Sequence, residues 1–147
     1  MGVFISHTTF VIERDLPGSP VHAFRFWSEH ARKRQWTSCH PDWTVLEDVL
    51  DVRVGGRYRI SFNSGDGNYN EVGGVYREVV PNERLVFSWA WHSTPERESL
   101  VTVSIKPDGA GTLLTFRHEQ FADETARDNH QRGWTEFFVN LENYVAA

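Results

Sequence analysis

The chain has 147 residues, the usual size of one domain, and we predict a single domain over residues 1–147. Its formal net charge is −5, from 20 acidic against 15 basic residues, which argues against nucleic-acid binding. No apolar run is long enough to span a membrane. The composition therefore predicts a globular protein with no nucleic-acid partner and no membrane span.

Cys39 is the only cysteine, so the chain cannot form an internal disulfide, and we expect a reducing, cytoplasmic location. The seven histidines do not fall at metal-ligand spacings such as two histidines separated by three residues. We therefore predict no metal site and no cofactor. The sequence leaves the oligomeric state open between a monomer and a homodimer.

The N-terminal part predicts one strand followed by two short helices. Val3–Arg14 is rich in β-branched and aromatic residues and favours a strand. Ser19 is a predicted N-cap with Pro20 at the first helical position. Ser28 is expected to cap a second helix that runs through Gln35. Cys39–Asp42 is then predicted to form a loop.

Alternating apolar and polar residues predict six further strands. These are Trp43–Asp51, Arg57–Asn63, Tyr69–Val80, Arg84–Trp91, Leu100–Lys106 and Thr112–Glu119. The turns between most of them are short and rich in glycine, proline or asparagine, so neighbouring strands must be antiparallel. Gly73 and Gly74 predict a bulge or bend inside the third of these strands.

The last stretch, Thr125–Val145, predicts one long helix. Its apolar residues recur at three- and four-residue steps and form one broad face: Ala126, His130, Trp134, Phe137, Phe138, Leu141, Tyr144 and Val145. Thr125 is the predicted N-cap, with Asp128 three residues later. Such a helix would be roughly 30 Å long. Its aromatic face requires a wide, concave, apolar surface, which the predicted strands can supply.

The order of elements and several motifs resemble a known family. The stretches that carry the resemblance are Asp51–Tyr58, Gly74–Trp89, Gly111–Thr115 and His130 with Gly133-Trp134. Together they are similar to the activator of heat-shock-protein-90 ATPase homologue-like branch of the START-like (SRPBCC) superfamily. The resemblance runs from Phe10 to Tyr144.

This resemblance implies an α+β helix-grip fold: a curved antiparallel sheet of about seven strands around the long C-terminal helix, with two short helices after the first strand. It also implies a cavity between sheet and helix. It supplies no reaction, because one fold serves many functions. The superfamily includes lipid carriers, hormone-binding proteins, cyclases and co-chaperones.

Large aromatic residues predicted to face this interior are the candidate ligand-binding residues, together with two histidines and one glycine. They are Trp36, Tyr58, Phe62, Trp89, Trp91, Phe116, His118, His130, Gly133, Trp134 and Phe138. A dense aromatic core is the alternative interpretation. Gly133 is costly inside a helix. Close backbone packing is the favoured reason for it, and room for a ligand beside Trp134 is the other.

The predicted function is binding of a hydrophobic or aromatic small molecule between sheet and helix. A chaperone-cofactor module that binds a protein partner is the first alternative. The second is an enzyme of the cyclase or dehydratase kind with His118 or His130 as acid or base. Histidines buried with one hydrogen bond would be structural, so we predict no catalytic residue.

Overall fold

The computed structural model describes residues 2–37 and 42–146. Apart from Asp42, the predicted loop Cys39–Asp42 lies outside these residues. The strands within them are β1 (Val3–Ser6), β2 (Thr9–Leu16), β3 (Thr44–Leu50), β4 (Arg57–Asn63), β5 (Tyr69–Val80), β6 (Arg84–Trp91), β7 (Ser99–Asp108) and β8 (Gly111–Glu119). The helices are α1 (Pro20–Ser28), α2 (His30–Thr37) and α3 (Glu124–Ala146), and a single 3-10 turn covers Pro95–Arg97.

The strands form one antiparallel sheet in the order β1-β2-β8-β7-β6-β5-β4-β3. β3 to β8 are a meander, in which each strand pairs with the next along the chain. The prediction of an α+β helix-grip fold is confirmed, and β4, β5 and β6 have the predicted bounds. The sheet has eight strands where about seven were predicted.

The additional strand comes from the N-terminus, where the prediction of one strand over Val3–Arg14 is wrong. The chain turns at His7 and Thr8, and Ser6 pairs with Thr9 across a hairpin. This turn contains neither glycine nor proline, so the composition does not mark it. β1 lies at the edge of the sheet.

The first helix begins as predicted, with the Ser19 side chain accepting a hydrogen bond from the His22 N–H. The second predicted start is wrong. The Ser28 hydroxyl donates to the Phe24 carbonyl oxygen at 3.0 Å instead, and α2 begins only at His30. Serine near the end of a helix satisfies itself by bonding back to the preceding turn, so it is not available as a cap.

The long helix also begins slightly earlier than predicted. The Ala126 N–H donates to Asp123 Oδ1 at 2.8 Å, so Asp123 caps α3 and Thr125 lies inside its first turn. This hydrogen bond lowers the pKa of Asp123. A carboxylate accepts such a bond more strongly than a hydroxyl because it also interacts with the helix dipole.

Glycines in β5 mark a close approach rather than the bulge itself. A Cβ on Gly74 would lie 1.9 Å from the Ser88 carbonyl oxygen, and one on Gly73 would lie 2.7 Å from the carbonyl oxygen of Tyr58. The register of β5 with β6 shifts further along, between Tyr76 and Glu78. The predicted irregularity is therefore present in this strand, but the register shift lies beyond the glycine pair.

The sheet curves around α3. β2 and β4 are five strand positions apart, which would be about 24 Å in a flat sheet. Both contact the same helix: Arg14 of β2 lies 5.9 Å from the Phe138 ring, and Phe62 of β4 lies 6.2 Å from the Phe137 ring. A helix is only about 10 Å wide. The two strands can reach it together only if the sheet bends around it.

Aromatic rings fill the space between sheet and helices. Five indoles form a continuous row across the interior, which we call the tryptophan row. Centroid distances along it are 4.8 Å from Trp36 to Trp27, 6.3 Å from Trp27 to Trp134, 5.1 Å from Trp134 to Trp89, and 5.9 Å from Trp89 to Trp91. Trp91 alone of the five is only half-buried.

Candidate functional site

The tryptophan row ends at a cavity of about 470 Å³ between α3 and the sheet. Its lining residues are Trp43, Phe62, Asn70, Trp89, Trp91, Ser93, Thr94, Asn129, His130, Gly133, Trp134, Glu136 and Phe137. Asn129, Gly133 and Glu136 are exposed. The cavity therefore opens to solvent along one side of α3.

Gly133 is the centre of the helical wall. The other α3 residues that line the cavity lie one, three or four positions from it: Asn129, His130, Trp134, Glu136 and Phe137. A Cβ built on Gly133 meets no heavy atom within 4 Å apart from its chain neighbours and the backbone of its own helix. The prediction that this glycine permits close backbone packing is therefore wrong. The position borders open space.

The sheet supplies the opposite wall through alternate residues of β6, Phe62 of β4 and Asn70 of β5. Trp89 and Trp91 point to the same face because side chains alternate along a strand. The Phe62 ring lies 5.6 Å from that of Trp91 and 6.2 Å from that of Phe137. Aromatic contacts thus join the sheet wall to the helical wall.

His130 is held by two hydrogen bonds that define its tautomer. The Trp91 indole N–H donates to His130 Nε2 at 2.8 Å. His130 Nδ1 lies 2.6 Å from the Ala126 carbonyl oxygen, which can only accept. Because an indole can only donate, Nε2 must be the bare nitrogen and Nδ1 must carry the proton. The imidazole is therefore neutral, and both of its nitrogens are engaged.

His118 lies behind the cavity wall and is fully buried. The Ser99 hydroxyl donates to the Trp89 carbonyl oxygen and lies 2.7 Å from His118 Nε2, which must then be the protonated nitrogen. His118 Nδ1 has no partner among the described residues. The ring centroids of His118 and His130 are 5.5 Å apart.

Burial lowers the pKa of both imidazoles, since charging a ring in this apolar surrounding is unfavourable. The effect is larger for His118, whose pKa lies well below 6.5 and is lowered further by repulsion from His130. In the unfolded chain both histidines regain their ordinary pKa. The unfolded chain therefore binds more protons than the folded protein below pH 6.5.

We accordingly expect the free energy of unfolding to be highest above pH 6.5 and to fall as the pH decreases below it. Urea unfolding followed by tryptophan emission, at several pH values on both sides of 6.5, measures this dependence. His130→Gln retains an acceptor for the Trp91 indole but cannot titrate, so its stability should vary less with pH. A wild-type stability that does not change across this range would contradict the assignment.

The eleven predicted site residues separate into two groups. Those that line the cavity are Phe62, Trp89, Trp91, His130, Gly133 and Trp134. Those that lie in the packed core instead are Trp36, Tyr58, Phe116, His118 and Phe138. Two of the core residues have their polar atoms satisfied there: Trp36 donates to the Phe26 carbonyl oxygen at 2.8 Å, and Tyr58 donates to the Ser88 carbonyl oxygen at 2.5 Å.

The prediction missed seven lining residues: Trp43, Asn70, Ser93, Thr94, Asn129, Glu136 and Phe137. The three on α3 could have been found by taking the positions three and four residues on either side of Gly133. Ser93 and Thr94 directly follow the strand that bears Trp91. Asn70 pairs with Phe62 across the hairpin of β4 and β5, so the predicted strand bounds could have found it. Trp43 carries no comparable signal.

The described residues contain neither a cluster of metal ligands nor a membrane-spanning helix. Within residues 2–37 and 42–146, three histidine, cysteine, aspartate or glutamate side chains nowhere gather as metal ligands would. Among the same residues, each helix is too short or too polar to cross a bilayer.

Comparison with known proteins agrees with this architecture. The sequence profile described as Activator of Hsp90 ATPase homolog 1-like protein matches residues 18–146. An uncharacterised protein from Rhizobium leguminosarum is 31% identical over 99% of each chain, with a TM-score of 0.79. A protein from Rhizobium loti is 29% identical over 98% of this chain and 99% of its own, with a TM-score of 0.77.

A protein from Chromobacterium violaceum has the same fold at 23% identity, over 95% of this chain and 99% of its own, with a TM-score of 0.85. No curated protein matches the chain. The profile match extends from the loop before α1 to the end of α3. The chain therefore belongs to the Activator of Hsp90 ATPase homolog 1-like family, a branch of the START-like (SRPBCC) superfamily.

Proposed function

We propose that this protein binds an apolar or aromatic small molecule in the cavity between α3 and the sheet. The observation that carries the proposal is the open space beside Gly133, where a glycine lies inside a continuous helix without being needed for packing. The volume of about 470 Å³ is in the usual range for small-molecule sites. Six of the lining side chains are tryptophan or phenylalanine, which suits a ligand with apolar or aromatic surface.

The hydrogen bonding of the two histidines supports binding rather than catalysis. A general acid or base must lie within hydrogen-bond reach of a substrate proton. Both nitrogens of His130 are already engaged, and the ring of His118 is enclosed by the core. The cyclase or dehydratase alternative would require one of these arrangements to break before reaction.

A chaperone cofactor that binds a protein partner remains the second candidate. The observation that favours it is the edge strand β1, where Phe4 is 59% exposed and Ile5 is 52% exposed. The backbone N–H and C=O groups of an edge strand can pair with a strand of another protein, and exposed apolar side chains can pack against that partner. The two candidates use separate surfaces. Phe4→Ser should therefore weaken the binding of a protein partner and leave small-molecule binding unchanged.

The proposal predicts that N-phenyl-1-naphthylamine, a neutral aromatic probe that fluoresces in apolar surroundings, binds saturably and raises the melting temperature. Gly133→Leu should abolish both effects, because the new side chain would occupy the space beside Trp134. It should not reduce the free energy of unfolding, since no heavy atom lies within 4 Å of the new Cβ. Probe fluorescence and thermal melts measure the two quantities.

Two control variants separate blocking from other effects. Gly133→Ala should keep probe binding and raise the free energy of unfolding by about 0.5–1 kcal/mol, because alanine is the better helix former. Val139→Leu adds bulk on an exposed part of α3 and should leave binding unchanged. Absence of saturable binding to the wild type, or unchanged binding to Gly133→Leu, would refute the proposal.

A further inference from the structure

The charged groups around the cavity restrict the ligand further than its apolar lining does. No lysine or arginine is among the described residues that line it, and Glu136 is the single carboxylate there. The neighbouring Arg132 donates to the Asn129 side-chain oxygen at the rim but does not line the cavity. An anionic ligand would thus enter a space without a lining cation, whereas a cationic ligand would find one carboxylate.

The aromatic lining also favours positive charge. The face of an aromatic ring is electron-rich, and a cation within about 6 Å of the ring centroid is attracted to it. Rings that stand at angles to one another can surround a cation on several sides. Neighbouring rings of the lining differ in orientation: the planes of Trp89 and Trp91 meet at 90°, and those of Trp134 and Phe137 meet at 69°. The plane of Phe62 meets that of Trp91 at 49°, so the lining presents rings in more than one orientation.

Glu136 belongs to the part of α3 that lines the cavity. Glu136 lies three residues after Gly133, so the two are neighbours on the same side of α3. Glu136 is exposed, and Gly133 leaves the space beside it open. The net charge of −5 adds a weak attraction for cations over the whole protein.

We infer that the ligand is an organic ammonium cation, such as a quaternary or N-methylated amine. Its positive centre lies among the rings of Trp91, Trp134 and Phe137, and the Glu136 carboxylate supplies the counter-charge. This inference rests on the proposed function, because it specifies the ligand class of the same cavity.

Competition against bound N-phenyl-1-naphthylamine tests the inference with three compounds of similar shape. Benzyltrimethylammonium carries the charge, neopentylbenzene is its neutral carbon isostere, and phenylacetate is an anion. We expect the cation to displace the probe at a concentration at least about fivefold lower than the isostere requires. The anion should be the weakest competitor. Added salt should weaken binding of the cation and leave binding of the isostere unchanged.

Two glutamate variants complete the test. Glu136→Gln keeps the shape of the side chain. It should lower the affinity for the cation about two- to fivefold, without changing the affinity for the isostere. Glu83→Gln removes the same charge from the turn at the far end of β6 and should change the affinity for neither compound.

Equal or tighter binding of the isostere or the anion would overturn the inference while leaving the proposed function intact. An unchanged cation affinity in Glu136→Gln would also overturn it. If the probe itself does not bind the wild type, the proposed function fails, and the inference fails with it.

Discussion

Phe138→Ala is expected to lower the free energy of unfolding by about 3–5 kcal/mol. Phe138 is fully buried, and its ring centroid lies 5.3 Å from that of Phe116 and 6.1 Å from that of Trp27. Alanine would remove contacts from β8, α1 and α3 at once and leave a cavity in the middle of the core. Folded domains are usually stable by only about 5–15 kcal/mol, so the urea midpoint should fall markedly.

The next residue along α3 provides the control. Val139 is 56% exposed, so Val139→Ala should change the free energy of unfolding by no more than about 0.5 kcal/mol. Both variants shorten a side chain at consecutive positions of one helix and differ in which face they affect. Similar losses in the two variants would show that α3 does not anchor the core through its aromatic face.

Lys33→Met should have an effect of similar size for a different reason. Lys33 of α2 lies 2.5 Å from a Glu47 carboxylate oxygen of β3, and the two side chains are 5% and 0% exposed. The other carboxylate oxygen has no hydrogen-bond partner among the described residues. Removing the ammonium would leave a buried, uncompensated carboxylate, which typically costs about 3–5 kcal/mol.

The double variant Lys33→Met with Glu47→Leu should recover most of that loss, because it removes both buried charges and keeps apolar volume. Urea unfolding of the wild type, the two single variants and the double variant gives the coupling energy directly. The exposed pair of Arg59 and Asp48, whose Nε–Oδ1 distance is 2.9 Å, is the control. Arg59→Met should leave the urea midpoint nearly unchanged. A double variant less stable than Lys33→Met would contradict this account.

The strands of the meander were predictable because most of their turns are rich in glycine, proline or asparagine and their apolar residues alternate with polar ones. The edge strand was not, because Val3, Phe4 and Ile5 have the composition of a buried strand but are exposed. Whether an apolar strand lies at the centre or at the edge of a sheet depends on what pairs with it. That is decided by the rest of the chain, and periodicity carries no information on it.

Helical and strand periodicity predicted which residues of the candidate site face the interior, but not which of them line the cavity. Tyr58 and Phe62 lie on the same face of β4, and the pattern treats them alike. They are four residues apart, or roughly 13 Å along the strand. Tyr58 reaches the packed core, whereas Phe62 reaches the cavity. Alternation indicates which side of a sheet a residue faces, but not where along the sheet the packing ends and open space begins.

Gly133 shows the same limit on a helix. The sequence showed that a glycine at this position lowers the stability of the helix and lies next to Trp134. It could not distinguish close packing against Gly133 from open space beside it. Only the position of the opposing strands decides this, and they leave no heavy atom within 4 Å of its Cβ position.

We expect the five indoles of the tryptophan row to share excitation energy, because neighbouring rings lie close together. Indoles at centroid separations of 4.8 to 6.3 Å exchange excitation energy before they emit. Light absorbed at Trp36, deep in the core, is therefore shared as far as Trp91 at the cavity. The emitted light should be strongly depolarised. A ligand that quenches Trp91 or Trp134 should lower the fluorescence of the whole tryptophan row. The intrinsic fluorescence of this protein thus reports on the cavity even when a distant indole absorbs the photon.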